Sequence, residues 1–124
     1  MNSIKYYLLL LGLGGSALMQ AYSINMTNVT GSAIRISIEY EGAGFFCTND
    51  VKELAAGQSL EISVGGCCAN KVFVQGLNGP IAGQTVNMQL PATGRGFSNL
   101  PIVCKSFGFI VKVDANNKIV VENR

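Results

Sequence analysis

Four cysteines, Cys47, Cys67, Cys68 and Cys104, are the side chains best equipped for chemistry in this sequence, and their spacing decides which chemistry. Structural zinc sites draw ligands from close pairs such as C-x2-C, usually with histidine. The chain has no such pair and no histidine. The same gap removes the C-x-x-C redox motif. An even number of cysteines in a small exported domain instead points to two disulfides, because thiols pair in oxidising compartments. Joining Cys67 to Cys68 would close a strained ring between neighbours. In the two remaining arrangements Cys47 and Cys104 each take one member of the doublet. Successive side chains on an extended chain point to opposite sides, so the doublet reaches two different segments. Gly65 and Gly66 loosen the backbone before it and break the strand parity, which leaves the choice of partners open.

Other chemistry is thin. Without imidazole, the usual activation of a serine or cysteine nucleophile is lacking. Glu39 and Glu41 stand two apart on one strand face, roughly 7 Å by strand geometry, a separation a glycosidase pair could use; a solvated face explains them more simply. "DANN" offers a few oxygens for calcium but reads first as a turn. No metal or cofactor is expected.

Two loops have the composition of contact surfaces. "EGAGFFC" sets Phe45 and Phe46 between glycines and Cys47, as an exposed anchor or as packing beneath a disulfide. "PATGRGFSNLP", residues 91–101, is bounded by prolines and carries Arg95 and Phe97 between glycines. Long loops on rigid β scaffolds carry binding, and arginine beside an aromatic is a hot-spot pairing. Asn25 and Asn28 each stand in an N-x-T sequon, an acceptor for glycans in a eukaryotic secretory pathway.

The elements that position these residues have a period of two. In "AIRISIEYE" Ile34, Ile36, Ile38 and Tyr40 share a face opposite Arg35, Ser37, Glu39 and Glu41, as in a strand with one side buried. "QSLEISV", "TVNMQL" and "FGFIVKV" divide likewise, and "DANNK" turns residues 107–122 into a hairpin. "INMTNV", "VKEL" and "KVFVQ" are weaker strands, and "NDVKELAAG" has room for one helical turn. About eight short strands joined by glycine-rich turns predict an all-β fold, a small antiparallel β-sandwich stapled by two disulfides. "NMTNVTGSAIRI" followed by "LAAGQSLEISV" resembles the start of thaumatin-like secreted β-proteins. The cysteine number and spacing differ from that family, so no function carries across.

Residues 1–23 read as a cleavable signal peptide. Lys5 precedes an apolar run from Tyr6 to Leu18, shorter than the roughly 20 residues of a membrane span, and "AYS" supplies small residues for cleavage after Ser23. Cleavage after Ala17 is the alternative. Residues 24–124 then form one domain, secreted or periplasmic. Without Lys5, eight Lys and Arg face seven Asp and Glu. The basic residues are scattered, which argues against nucleic acid and anionic membranes. The reading is a non-enzymatic binding or structural module, an effector, inhibitor or surface-associated protein with a protein or surface-glycan partner. Its alternatives are a subunit of an extracellular fibre or coat and, further off, a carboxylate-based enzyme.

Overall fold

A computed structural model of the 124-residue chain describes residues 21–41 and 47–124. The expected signal segment up to residue 20, and Phe45 and Phe46, lie outside the described residues. Eight strands form two four-stranded sheets. One has the order β10 (Ile119–Asn123), β9 (Phe107–Val113), β1 (Tyr22–Asn28), β4 (Ser59–Gly65). The other has the order β3 (Asp50–Leu54), β2 (Ile34–Tyr40), β5 (Ala69–Gly76), β6 (Thr85–Met88). The two-residue strands β7 (Gly94–Arg95) and β8 (Pro101–Ile102) form a separate hairpin. All pairs are antiparallel except β1 with β9, which run parallel.

The alternation read in the sequence sets the core. Ile34, Ile36, Ile38 and Tyr40 of β2, with Leu54, Val72 and Val74 beside them, meet Ile24, Met26, Phe109 and Val111 of the other sheet in one buried cluster. These side chains are at most 3% exposed, and each contributes about 1.5–3 kcal/mol of transfer free energy. Residues 50–54, where a helical turn had room, are extended and pair with β2 along Ile34–Ile38. On this edge strand Lys52 lies opposite Ile36 yet remains exposed. A charge on the inward side of an edge discourages pairing with another chain.

Polar side chains close the ends of the sandwich. Asn28, at the end of β1, is completely buried. Its amide donates to the carbonyls of Ser32, Leu54 and Ala55, and its Oδ1 accepts from the Thr30 N–H and hydroxyl. The Asn28 sequon therefore has a structural role: the amide nitrogen that a glycan would need is sealed in the folded protein, whereas Asn25 is exposed. Gln84 joins the two sheets by donating to the Asn117 carbonyl and accepting from the Ile119 N–H.

Strand β1 begins at Tyr22, so the cleavage point expected after Ser23 falls inside it. Ser23 is paired with Ser63, and its N–H donates to the Ser106 hydroxyl at 2.9 Å.

Candidate functional site

The cysteine doublet follows β4 at the point where the chain turns into β5. Gly65 has φ +59°, a left-handed conformation that suits glycine. Cys67 then bonds to Cys47, and Cys68 bonds to Cys104. The two-way staple read in the sequence is present, with the partners now assigned. Beside the second bridge, Ala69 and Val103 exchange two backbone hydrogen bonds. Covalent bond and bridge together fix the base of the β7–β8 hairpin to the start of β5. Thr93 adds a third tie, since its Oγ1 accepts the Cys104 N–H at 2.9 Å.

Residues 91–101, read as a loop, hold all of this hairpin but its last residue, Ile102. Its tip runs from Gly96 to Leu100. The Gly96 N–H donates to the Leu100 carbonyl and the Asn99 N–H to the Gly96 carbonyl, with Asn99 at φ 60°. This is a tight turn followed by one left-handed residue, a common hairpin connection. Glu41 completes it from outside. A one-residue irregularity between Glu39 and Tyr40 ends the regular β2 register. The Glu41 Oε1 then accepts the Phe97 N–H at 2.6 Å, and Oε2 faces the Asn70 amide at 3.4 Å. The carboxylate paired in the sequence with Glu39 thus has a place under the hairpin. A Cβ on Gly96 would come within 2.5 Å of the Glu41 carboxyl carbon. A side chain at this position would push the Glu41 carboxylate away from the tip, so glycine leaves room for the contact as it stands.

Phe97 projects from the tip and is 99% exposed. Arg95 is exposed too, and its Nη1 donates to the Asn99 carbonyl at 3.3 Å. Beneath the tip lies a cleft of about 430 Å³, lined by the Cys47–Cys67 bridge, Cys68 and Ile102 together with Glu41, Arg95 and Phe97. The structure thus places the sequence-nominated Arg95 and Phe97 around one cleft with Cys47, Cys67 and Cys68. Sequence reasoning missed Glu41 as a partner of this loop; a contact between positions 56 apart leaves no local pattern to find.

A smaller pocket of about 230 Å³ opens between Tyr40, Asp50, Ser63 and Thr48. The buried Tyr40 hydroxyl donates to Asp50 Oδ2 at 2.6 Å. Burial, followed by the hydrogen bond to Asp50 and that group's charge, pushes the tyrosine pKa well above its usual value. Among the described residues, no three His, Cys, Asp or Glu side chains group as metal ligands would, and no helix is long and apolar enough to cross a membrane.

No protein-family model matches the chain, and no curated protein does. Among solved structures, the NMR structure of a protein from Eubacterium rectale is similar, with a TM-score of 0.54 over 83% of this chain and 87% of that one, at 15% identity. The likeness concerns the fold.

Proposed function

We propose that this protein is a small exported β-sandwich that works by contact rather than catalysis, with the β7–β8 hairpin tip as its contact surface. The observation that carries the reading is Phe97, 99% exposed on a tip that is anchored at its base by Cys68–Cys104 and at its end by Glu41. An apolar ring held in water on a fixed support adds nothing to the core. It offers a partner a preorganised anchor, and preorganisation reduces the ordering cost of binding. Arg95 supplies a planar fork of donors for carboxylates or carbonyls on a protein or surface glycan. Export is supported by the amino-terminal apolar run and by two disulfides, which suit an oxidising compartment.

The test is capture of envelope or host proteins by the exported domain, with Arg95→Ala/Phe97→Ala as the comparison. The double variant should change unfolding free energy by about 0.5 kcal/mol or less, as at ordinary surface sites. Partner affinity should fall by about 2 kcal/mol or more. Unchanged capture would move the contact elsewhere. N-terminal sequencing of the secreted product reads the processing point: cleavage after Ala17 leaves β1 whole, whereas cleavage after Ser23 removes its first two residues.

A further inference from the structure

The hairpin tip and the cleft beneath it have complementary features. The tip presents an apolar ring with no cover; the cleft is an apolar space of about 430 Å³. Both belong to one small patch, and Phe97 itself lines the cleft. The charged groups are matched as well. Arg95 and Glu41 line the same cleft, one of each sign, so the patch has no excess charge to select a strongly acidic or strongly basic partner. A two-fold interface joins the same patch on both subunits, and such a patch must contain both members of every complementary pair. This one holds a projection and a hollow, a cation and an anion.

We propose that the occupant of the cleft is Phe97 of a second copy of this chain, the two copies being related by a two-fold axis through the hairpin tips. The inference rests on the contact reading of the hairpin and names its partner. In the pair, each ring enters the other copy's cleft against the disulfides, and each Arg95 approaches the other copy's Glu41. Glu41 can serve both neighbours, because a carboxylate has about four lone-pair sites and the Phe97 N–H and the Asn70 amide take two of them. The patch is small beside the roughly 800 Å² per partner of a standard stable interface. The association is therefore weak, with a dissociation constant on the order of 100 µM.

Sedimentation velocity of the full exported protein, from about 10 µM to about 1 mM around that constant, is the test. The expected result is a reversible rise from monomer towards dimer. Phe97→Ala should abolish the rise, and Arg95→Glu, which sets carboxylate against carboxylate, should weaken association at least about tenfold, equivalent to 1.4 kcal/mol. Both variants should keep the wild-type melting temperature within about 2 °C, as surface changes do. A monomer at 1 mM overturns the proposal. So does a dimer indifferent to Phe97→Ala, a series of higher polymers, or a monomer in which the Phe97 ring is shielded from a soluble paramagnetic probe because its own chain fills the cleft. If the protein stays monomeric while the Arg95→Ala/Phe97→Ala variant still loses capture of a different protein, only self-association fails. If capture is also unaffected, the contact reading fails with it.

Discussion

Two hairpin turns in this molecule share one backbone path and complete it by different means. In the β9–β10 turn, Asp114 N–H donates to the Lys118 carbonyl and Asn117 N–H to the Asp114 carbonyl, with Asn117 at φ 57°. The β7–β8 tip repeats this pattern from Gly96 to Leu100, with Asn99 in the place of Asn117. At the first turn the carboxylate is local: Asp114 Oδ1 accepts the N–H groups of Asn116 and Lys118. At the second, the corresponding first residue is Gly96, and the carboxylate comes from Glu41 on another part of the chain. A self-contained turn can form wherever its five residues meet. A turn closed from outside is tied to the position of the residue that supplies its acceptor, so its apolar residue is held at a set place in the fold.

The largest test of this contrast is to cut the base of the second hairpin. Cys68→Ser/Cys104→Ser removes a bridge across a sequence separation of 36 and should cost about 3–4 kcal/mol in urea unfolding. A loss below about 1 kcal/mol would mean that the Ala69–Val103 bridge suffices as the anchor. Next is Glu41→Ala, which takes a charged acceptor from the Phe97 N–H. It should cost about 1.5 kcal/mol and speed amide exchange at Phe97 while leaving the 114–118 turn unchanged. Equal effects on both turns would remove the distinction. Asn99→Ala and Asn117→Ala should each cost about 1 kcal/mol, since both sites need positive φ, and glycine at either site should be tolerated. If only one asparagine matters, the shared backbone path does not imply a shared requirement.

The smallest effect is a pH dependence confined to the local turn. The backbone N–H groups of Lys118 and Asn116 hold the Asp114 carboxyl below its usual pKa. The unfolded chain therefore takes up this proton first as pH falls. The contribution is present above the ordinary aspartate value of about 3.9 and is lost as pH drops through the lower folded value. Asp114→Asn should flatten this acid limb in amide-resolved titrations of residues 114–118. An unchanged limb would remove Asp114 as its source.

The same contrast explains what could be read from the sequence. "DANNK" announces its turn because donor, acceptor and left-handed residue lie within five positions. The strands were legible for a similar reason: Ile34, Ile36 and Ile38 alternate with Arg35 and Ser37, and alternation is a local property. Residues 91–101 gave only a loop. The strands inside are two residues long, and the turn needs a carboxylate from position 41. The disulfide partners were hidden by the left-handed Gly65, which breaks the parity that would have assigned each cysteine a side. The sequence also gave no sign that β1 and β9 run parallel, since a residue's inward or outward pattern is the same in either direction.

That parallel pair sets an order of assembly. Strands β2, β3, β5 and β6 pair within residues 34–88, so one sheet can form while the chain is still emerging. The other cannot, because β1 lies between β4 and β9 and its contact with the β9 region spans 83 positions at Ser23–Ser106. Such long-range pairing is slow, since the entropy of closing the loop must be met before the contacts form. Until residues 107–113 arrive, Ile24 and Met26 have only half of their sheet. A chain passing through a narrow channel would thus close its second sheet only after residues 107–113 had emerged on the far side.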